Sequence, residues 1–157
     1  MADQVAVLRS GVIAQIDTPA ALYGYPADAE VASFLGESNI LEGEVSDTVA
    51  TTGLGRLQLG AWNGGAGSRR ARVMVRPEQI VLDRGATAGV EGTVASFEYF
   101  GHDAVVRVRV ATAGLPELVV RVAGGAPLEP GARVGLSVRG PVVAWPVEVA
   151  EPAKAPE

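Results

Sequence analysis

The chain contains no cysteine, a single lysine and a single histidine, and each shortage removes a class of chemistry. Without cysteine there are no disulfides and no thiolate metal sites, which suits a reducing compartment. The lone lysine, Lys154, stands in a Pro/Ala-rich tail, so no phosphate-binding loop of the G-x-x-x-x-G-K type is present in these residues. His102 has only Asp103 beside it. With no cysteine available and Ser96 on a strand that lacks a nucleophile elbow, His102 is expected to be a turn histidine, and no catalytic residue is assigned. The carboxylates are scattered singly, so a metal site would need ligands gathered from distant strands, and no metal or cofactor site is expected. No apolar run approaches the roughly 20 residues that span a bilayer. The start, MADQVAVLRSG, has neither the basic opening nor the long apolar run of a secretory signal, and a cytoplasmic chain is expected.

Positive charge is also scarce. The 13 basic residues face 18 acidic ones, for a net charge of −5, which argues against a general phosphate-binding surface and hence against nucleic acid. The deficit is uneven: residues 1–37 carry Asp3, Asp17, Asp28, Glu30 and Glu37 against Arg9 alone, a net of −4, and leave −1 for the rest. Residues 1–37 therefore read as a separate unit.

What is present is a chain that reads as β structure built twice. In RVMVRPEQIVL, Arg72 to Leu82, Val73 and Val75 alternate with Arg72, Met74 and Arg76, the period of a half-buried strand, and Pro77 ends the pairing. ARVMVRP, Ala71 to Pro77, returns as ARVGLSVRGP, Ala132 to Pro141. The second copy is longer by an even number before its final Val-Arg, so the same faces stay inward. Each copy has a matching strand opening upstream, LEGEV at Leu41 to Val45 and VEGTV at Val90 to Val94. Two related β units in tandem are expected.

In chain order, Val5 to Leu8 and Val12 to Ile16 flank turn chemistry at Arg9-Ser10-Gly11 and predict a hairpin. Thr18-Pro19 opens one helical turn, Gly24-Tyr25-Pro26 stops it, and Asp28 caps a second short helix with Val31, Phe34 and Leu35 on one face. Gly36 is expected to be its left-handed end. Strands follow from Asn39, Leu57 and Leu59 alternate with Arg56 and Gln58, and Ala61 to Ser68, including Trp62, reads as a loop. Asp83 to Gly89 is a second loop. Val90 to Tyr99 and Ala104 to Val110 flank a turn at Phe100-Gly101-His102-Asp103. Leu118 to Val122 follows, and Arg133 to Arg139 with Val142 to Val149 are expected to close the barrel, with the exact strand pairing and any strand swapping left open. Strands of this length and spacing predict small closed or half-closed barrels. Residues 38–149 form this barrel region, and 150–157 a disordered tail.

Arg69, Arg70, Arg72 and Arg76 make the single basic cluster. Solvated strand faces are the expected reading and an anion site the functional one; no aromatic platform accompanies them for single-stranded nucleic acid. Tyr99 and Phe100 are expected to pack the core beside the turn glycine Gly101, the functional alternative being a corner that faces a partner protein. Tyr23, Tyr25 and Phe34 read as interior residues whose original cover is missing. Val5, Val7, Ile13, Ile16 and Phe34 would be exposed, and exposed apolar strands pair with a neighbour, so self-association is expected.

The stretch Ala6 to Asn39, with Val7-Leu8, Gly11, Gln15, Thr18-Pro19, Tyr23 with Pro26, and Phe34, Gly36 and Asn39 in that order, resembles the end of the nucleotide-binding subunit of ABC-type importers. VRPEQIVL, Val75 to Leu82, followed by EYFG, Glu98 to Gly101, resembles the transport-associated OB-like (TOBE) regulatory domain of such subunits. The resemblance covers Val5 to Val147. It implies a mainly β fold, a tandem OB-like regulatory domain preceded by a hairpin and two short helices from an ATPase domain. It also implies that ATP and Mg are bound in the parent protein and that this stretch does not hydrolyse ATP. The implied role is regulation and dimerisation: a second copy as partner, together with a membrane permease and an external solute-binding protein, on the inner face of the membrane. VRPEQIVL with EYFGHD looks most like ferric-iron importers, with polyamine, sulfate and sugar importers as alternatives. A domain sensing an oxyanion or metabolite is the other reading.

Overall fold

A computed structural model describes residues 3–65, 69–85, 89–112, 114–124 and 127–147. The tail expected at 150–157 and the last residues of the strand expected to reach Val149 lie outside the described residues.

The N-terminal unit follows its local signals. Strands β1 (Val5–Arg9) and β2 (Val12–Asp17) pair antiparallel. Ser10 and Gly11 between them both have positive φ, 50° and 79°, as a two-residue hairpin turn of the right twist requires. Helix α1 (Pro19–Gly24) opens on Thr18, whose hydroxyl accepts from Ala21 N at 3.3 Å. Helix α2 (Ala29–Leu35) opens on Asp28, whose carboxylate accepts from Val31 N at 2.8 Å. Gly36 has φ 161°, extended backbone and not the left-handed end expected. Val7, Leu22 and Val31 bury one another, so Val7 is interior, in contrast to the expectation that it is exposed. The pleat turns it toward α1 and α2 while Leu8 faces out.

Five strands close the first barrel: β3 (Asn39–Ser46), β4 (Val49–Thr52), β5 (Gly55–Trp62), β6 (Arg70–Val75) and β12 (Val142–Pro146). The other five, β7 (Ile80–Asp83), β8 (Val90–Tyr99), β9 (Asp103–Val110), β10 (Leu118–Ala123) and β11 (Arg133–Val138), form a sheet in the order β10-β9-β8-β11-β7. Its edge strands β10 and β7 curl back into contact. Strands β4 and β7 had no signal in the sequence reading, and Trp62 is the half-buried end of β5, not part of a loop, because it packs against the core.

The duplication is visible in the pairing. β3, β4, β5 and β6 adjoin in the order 6-3-4-5, and β8, β9, β10 and β11 in the order 11-8-9-10. LEGEV pairs with ARVMV and VEGTV with ARVGL, both antiparallel. Leu41 opposes Val73, whereas Val90 opposes Leu136, two positions further along the matching copy; the even offset keeps the faces. The fifth strands are exchanged. β7, which follows β6, pairs with β11, and β12, which follows β11, pairs with β6 and β5. Val142 onward closes a barrel as expected, and the barrel it closes is the first. Apolar alternation fixes a strand's faces but not its neighbours, so the sequence pattern could not distinguish the two placements. One continuous core, from Leu41 and Val73 to Val106 and Leu136, runs through both halves.

Candidate functional site

Two places gather the residues singled out above. The first is the joint between the N-terminal unit and the crossovers. On β6, Ala71, Val73 and Val75 point into the barrel and Arg70, Arg72 and Met74 point out. Met74 is nonetheless buried, together with Val143 and Trp145 of β12, under Ala32 of α2. The run Val142 to Trp145 is thus covered on both faces, as a continuous apolar stretch implies. Trp145 Nε1 donates to Pro26 O at 3.0 Å and anchors the loop between the helices.

Arg76, the next outward position after Met74, is only 3% exposed. Its Nη2 donates to Tyr23 O at 2.8 Å. Its Nη1 donates to Ala32 O at 3.1 Å and to Gly36 O and Glu37 O at 3.3 Å. The Tyr23 ring lies 3.9 Å from the guanidinium carbon, and Tyr23 Oη donates to Glu78 at 2.8 Å. Burial pushes the Arg76 guanidinium below its ordinary range, against the pull of Tyr23 and Glu78. Burial and the Glu78 carboxylate push the Tyr23 phenol up.

Pro77–Gln79 forms a short 3-10 turn beyond Arg76. Gln79 Nε2 donates to Arg139 O at 3.3 Å and Pro141 O at 2.8 Å, and Arg139 N donates to Gln79 O at 2.8 Å. The two crossovers are therefore bonded to each other, and a cleft of about 230 Å³ opens where they meet Tyr23 and Tyr25.

This geometry separates the expected basic cluster. Arg76 is interior and spent on helix carbonyls. Arg70 and Arg72 are exposed on the outer face of β6 but open into different clefts, Arg70 beside Glu42 and Glu44 and Arg72 beside Asp28 and Trp145. Arg69 is exposed just ahead of the strand. The four do not converge, because α2 covers one end of β6 and leaves the other open. Solvated strand faces describe Arg69, Arg70 and Arg72, and not Arg76.

The second place is the β8–β9 corner. Phe100 N donates to Asp103 O at 2.9 Å and Gly101 has φ 90°, so the turn forms as expected. Tyr99 and Phe100, however, are 60% and 56% exposed and do not pack the core. β8 pairs with β11 only over Val90 to Thr93, so its far end projects with the hairpin, and Tyr99 Oη donates to Gly101 O. Beside this corner a cleft of about 340 Å³ is lined by Phe100, His102, Asp103, Arg107, Arg121 and Glu37 among others. Its ion pairs are internal and loose: Arg121 lies 3.4 Å from Asp103 and Arg107 lies 3.7 Å from Glu37, while His102 Nε2 stands 3.4 Å from Asp103. Among the described residues no three potential ligands are grouped for a metal ion.

Asn39 and Arg76 were the positions whose structural work the sequence reading missed. A signal existed for Arg76: Met74, apolar on the outward face, already implied a cover over that end of β6.

Residues 73–143 match the family model of the TOBE domain, a span that holds the whole second sheet and ends on neighbouring strands of the first barrel. The chain is 45% identical over 148 residues to an Fe(3+) ions import ATP-binding protein FbpC of Rhodococcus jostii, covering 92% of this chain and 42% of that protein. It is 38% identical over 141 residues to the FbpC of Serratia marcescens, covering 88% and 39%. The chain thus spans about two fifths of the length of these curated relatives. In fold it is similar to the cytoplasmic molybdate-binding protein ModG, with a TM-score of 0.50 at 19% identity over 68% of this chain and 94% of the other. The family match and the relatives agree: residues 73–143 match a TOBE domain, and over about nine tenths of its length the chain is similar to part of the ATP-binding subunits of ferric-iron importers.

Proposed function

We propose that this chain is the regulatory and assembling part of an importer's ATP-binding subunit, and that the imported solute is ferric iron. The observation that supports it is the 45% identity to an Fe(3+) ions import ATP-binding protein across 92% of the chain. ATP and Mg would be held by other parts of the whole subunit, and the residues described here take no part in hydrolysis. The cargo is tested by uptake of labelled ferric iron, spermidine, sulfate and maltose in cells with and without the gene. Loss of iron uptake alone is expected; loss of another solute with iron unaffected overturns the assignment. No helix among the described residues is long and apolar enough to cross a membrane, and contact with a permease and its external binding protein would run through the complete complex.

The chain would also meet a second copy of itself. Leu8, Val12, Ile13, Ile16 and Phe34 are exposed on the N-terminal unit, Phe34 by 76%, and apolar area left in water on this scale favours association. Light scattering is expected to return a dimer mass that falls to the monomer in Ile13→Glu; a monomer at every concentration overturns the reading. Tyr99, Phe100 and Gly101 form a further corner for a protein partner, since two large aromatics stand exposed beside a cleft of mixed charge. The oxyanion-sensing alternative loses one of its four arginines, because Arg76 is buried under α1 and α2.

A further inference from the structure

Arg76 and Asn39 are the buried polar side chains among the described residues, and Arg76 alone of the two carries a charge. Carbonyls at the ends of α1 and α2, together with the Tyr23 ring, surround its guanidinium where a buried cation would ordinarily meet a carboxylate. Tyr23 O and Ala32 O lie in the last turns of α1 and α2, where a helix leaves carbonyls without intrahelical donors and carries its partial negative charge, and Gly36 O and Glu37 O lie just beyond α2. One side chain thus finishes two helices at once. The planar fork suits this: it presents several donors in fixed directions, which an ammonium does not. Its Nε–H has no partner, so the burial is held by the other contacts against a cost.

The position in the chain gives this contact its consequence. Arg76 is the last residue before Pro77, where the backbone leaves the first barrel for the exchanged strand β7. Glu78 and Gln79, on the other side of the proline, hold Tyr23 Oη and the opposite crossover. The second exchanged strand, β12, reaches the same helices through Trp145 and Pro26. We propose that Arg76 is a latch that fastens the N-terminal unit to the crossover of the two barrels, so that a displacement of the crossover is passed to α1 and α2. This goes beyond the proposed function and does not depend on the cargo.

Hydrogen exchange on the whole chain tests the latch. In Arg76→Ala, amides of residues 21–35 are expected to exchange about ten-fold faster or more, with β8 and β9 at wild-type rates. Arg76→Lys should recover only part of the protection, because its ammonium cannot serve both helices in one plane. Unchanged helix amides in Arg76→Ala overturn the proposal. So does an equal loss of protection in β8 and β9, which would make Arg76 a contributor to global stability only. Should Arg76→Ala fail to fold, Tyr23→Leu removes the ring and the Glu78 bond and leaves the guanidinium. A smaller acceleration confined to residues 21–35 is then expected, and no acceleration overturns the latch.

Discussion

At the scale of single residues, Asn39 stands in for a missing strand. Its Nδ2 donates to Val119 O at 2.8 Å and Val75 O at 3.2 Å, and its Oδ1 accepts from Val119 N at 2.7 Å. Val119 lies on β10, an edge of the second sheet, so one buried amide satisfies ladder groups that would otherwise be sealed without partners. Asn39→Leu keeps the volume and removes these bonds. A loss of about 2–3 kcal/mol is expected, read as a lower urea midpoint at unchanged slope. Asp28 makes a pH-dependent contribution. Burial opposes its ionisation, but the Val31 N–H and the Arg9 guanidinium outweigh it and hold the carboxyl below its ordinary range. A carboxyl depressed in the folded state stabilises above its unfolded value of about 4 and ceases to do so as the pH falls through the folded one. Protection of the α2 amides, taken against the intrinsic exchange rate at each pH, should accordingly fall below about pH 4, and Asp28→Asn should flatten that fall.

At the scale of elements, the repeated glycines explain the repeated pairing. A methyl at Gly43 would stand 2.9 Å from Thr51 O and 3.1 Å from a Val73 methyl. At the matching Gly92 it would stand 2.5 Å from a Val108 methyl and 3.2 Å from Arg109 O. Either Gly→Ala change should cost about 1–3 kcal/mol by forcing neighbouring strands apart, measured by denaturant melting; a neutral Gly92→Ala would show that the sheet yields there. These elements also show what the sequence could disclose. The caps at Thr18 and Asp28, the Ser10-Gly11 turn and the alternating strands were legible because each is a local arrangement of a few neighbours. The short strands β4 and β7 were not, since four residues hold too little periodicity. The exposure of Tyr99 and Phe100 was hidden for a different reason. Aromatics beside a turn glycine look alike whether the hairpin folds inward or projects, and the choice is made by where β11 stops pairing.

At the scale of the whole molecule, the halves are joined by more than their exchanged strands. Leu115 of the second half lies against Gly53 of the first so closely that a methyl there would stand 2.7 Å from its side chain. Deletion of residues 142–157 should open the first barrel between β5 and β6 and release Pro26 from Trp145. It should leave β7 to β11 paired, which hydrogen exchange resolves strand by strand. Retained protection in β5 and β6 would contradict the placement of β12. The exchange also dictates an order of events during synthesis. Because the first barrel waits for a strand encoded about eighty residues after β5, a growing polypeptide emerging from the ribosome holds an open edge there until those further residues are made, an interval in which a holding chaperone has something to bind.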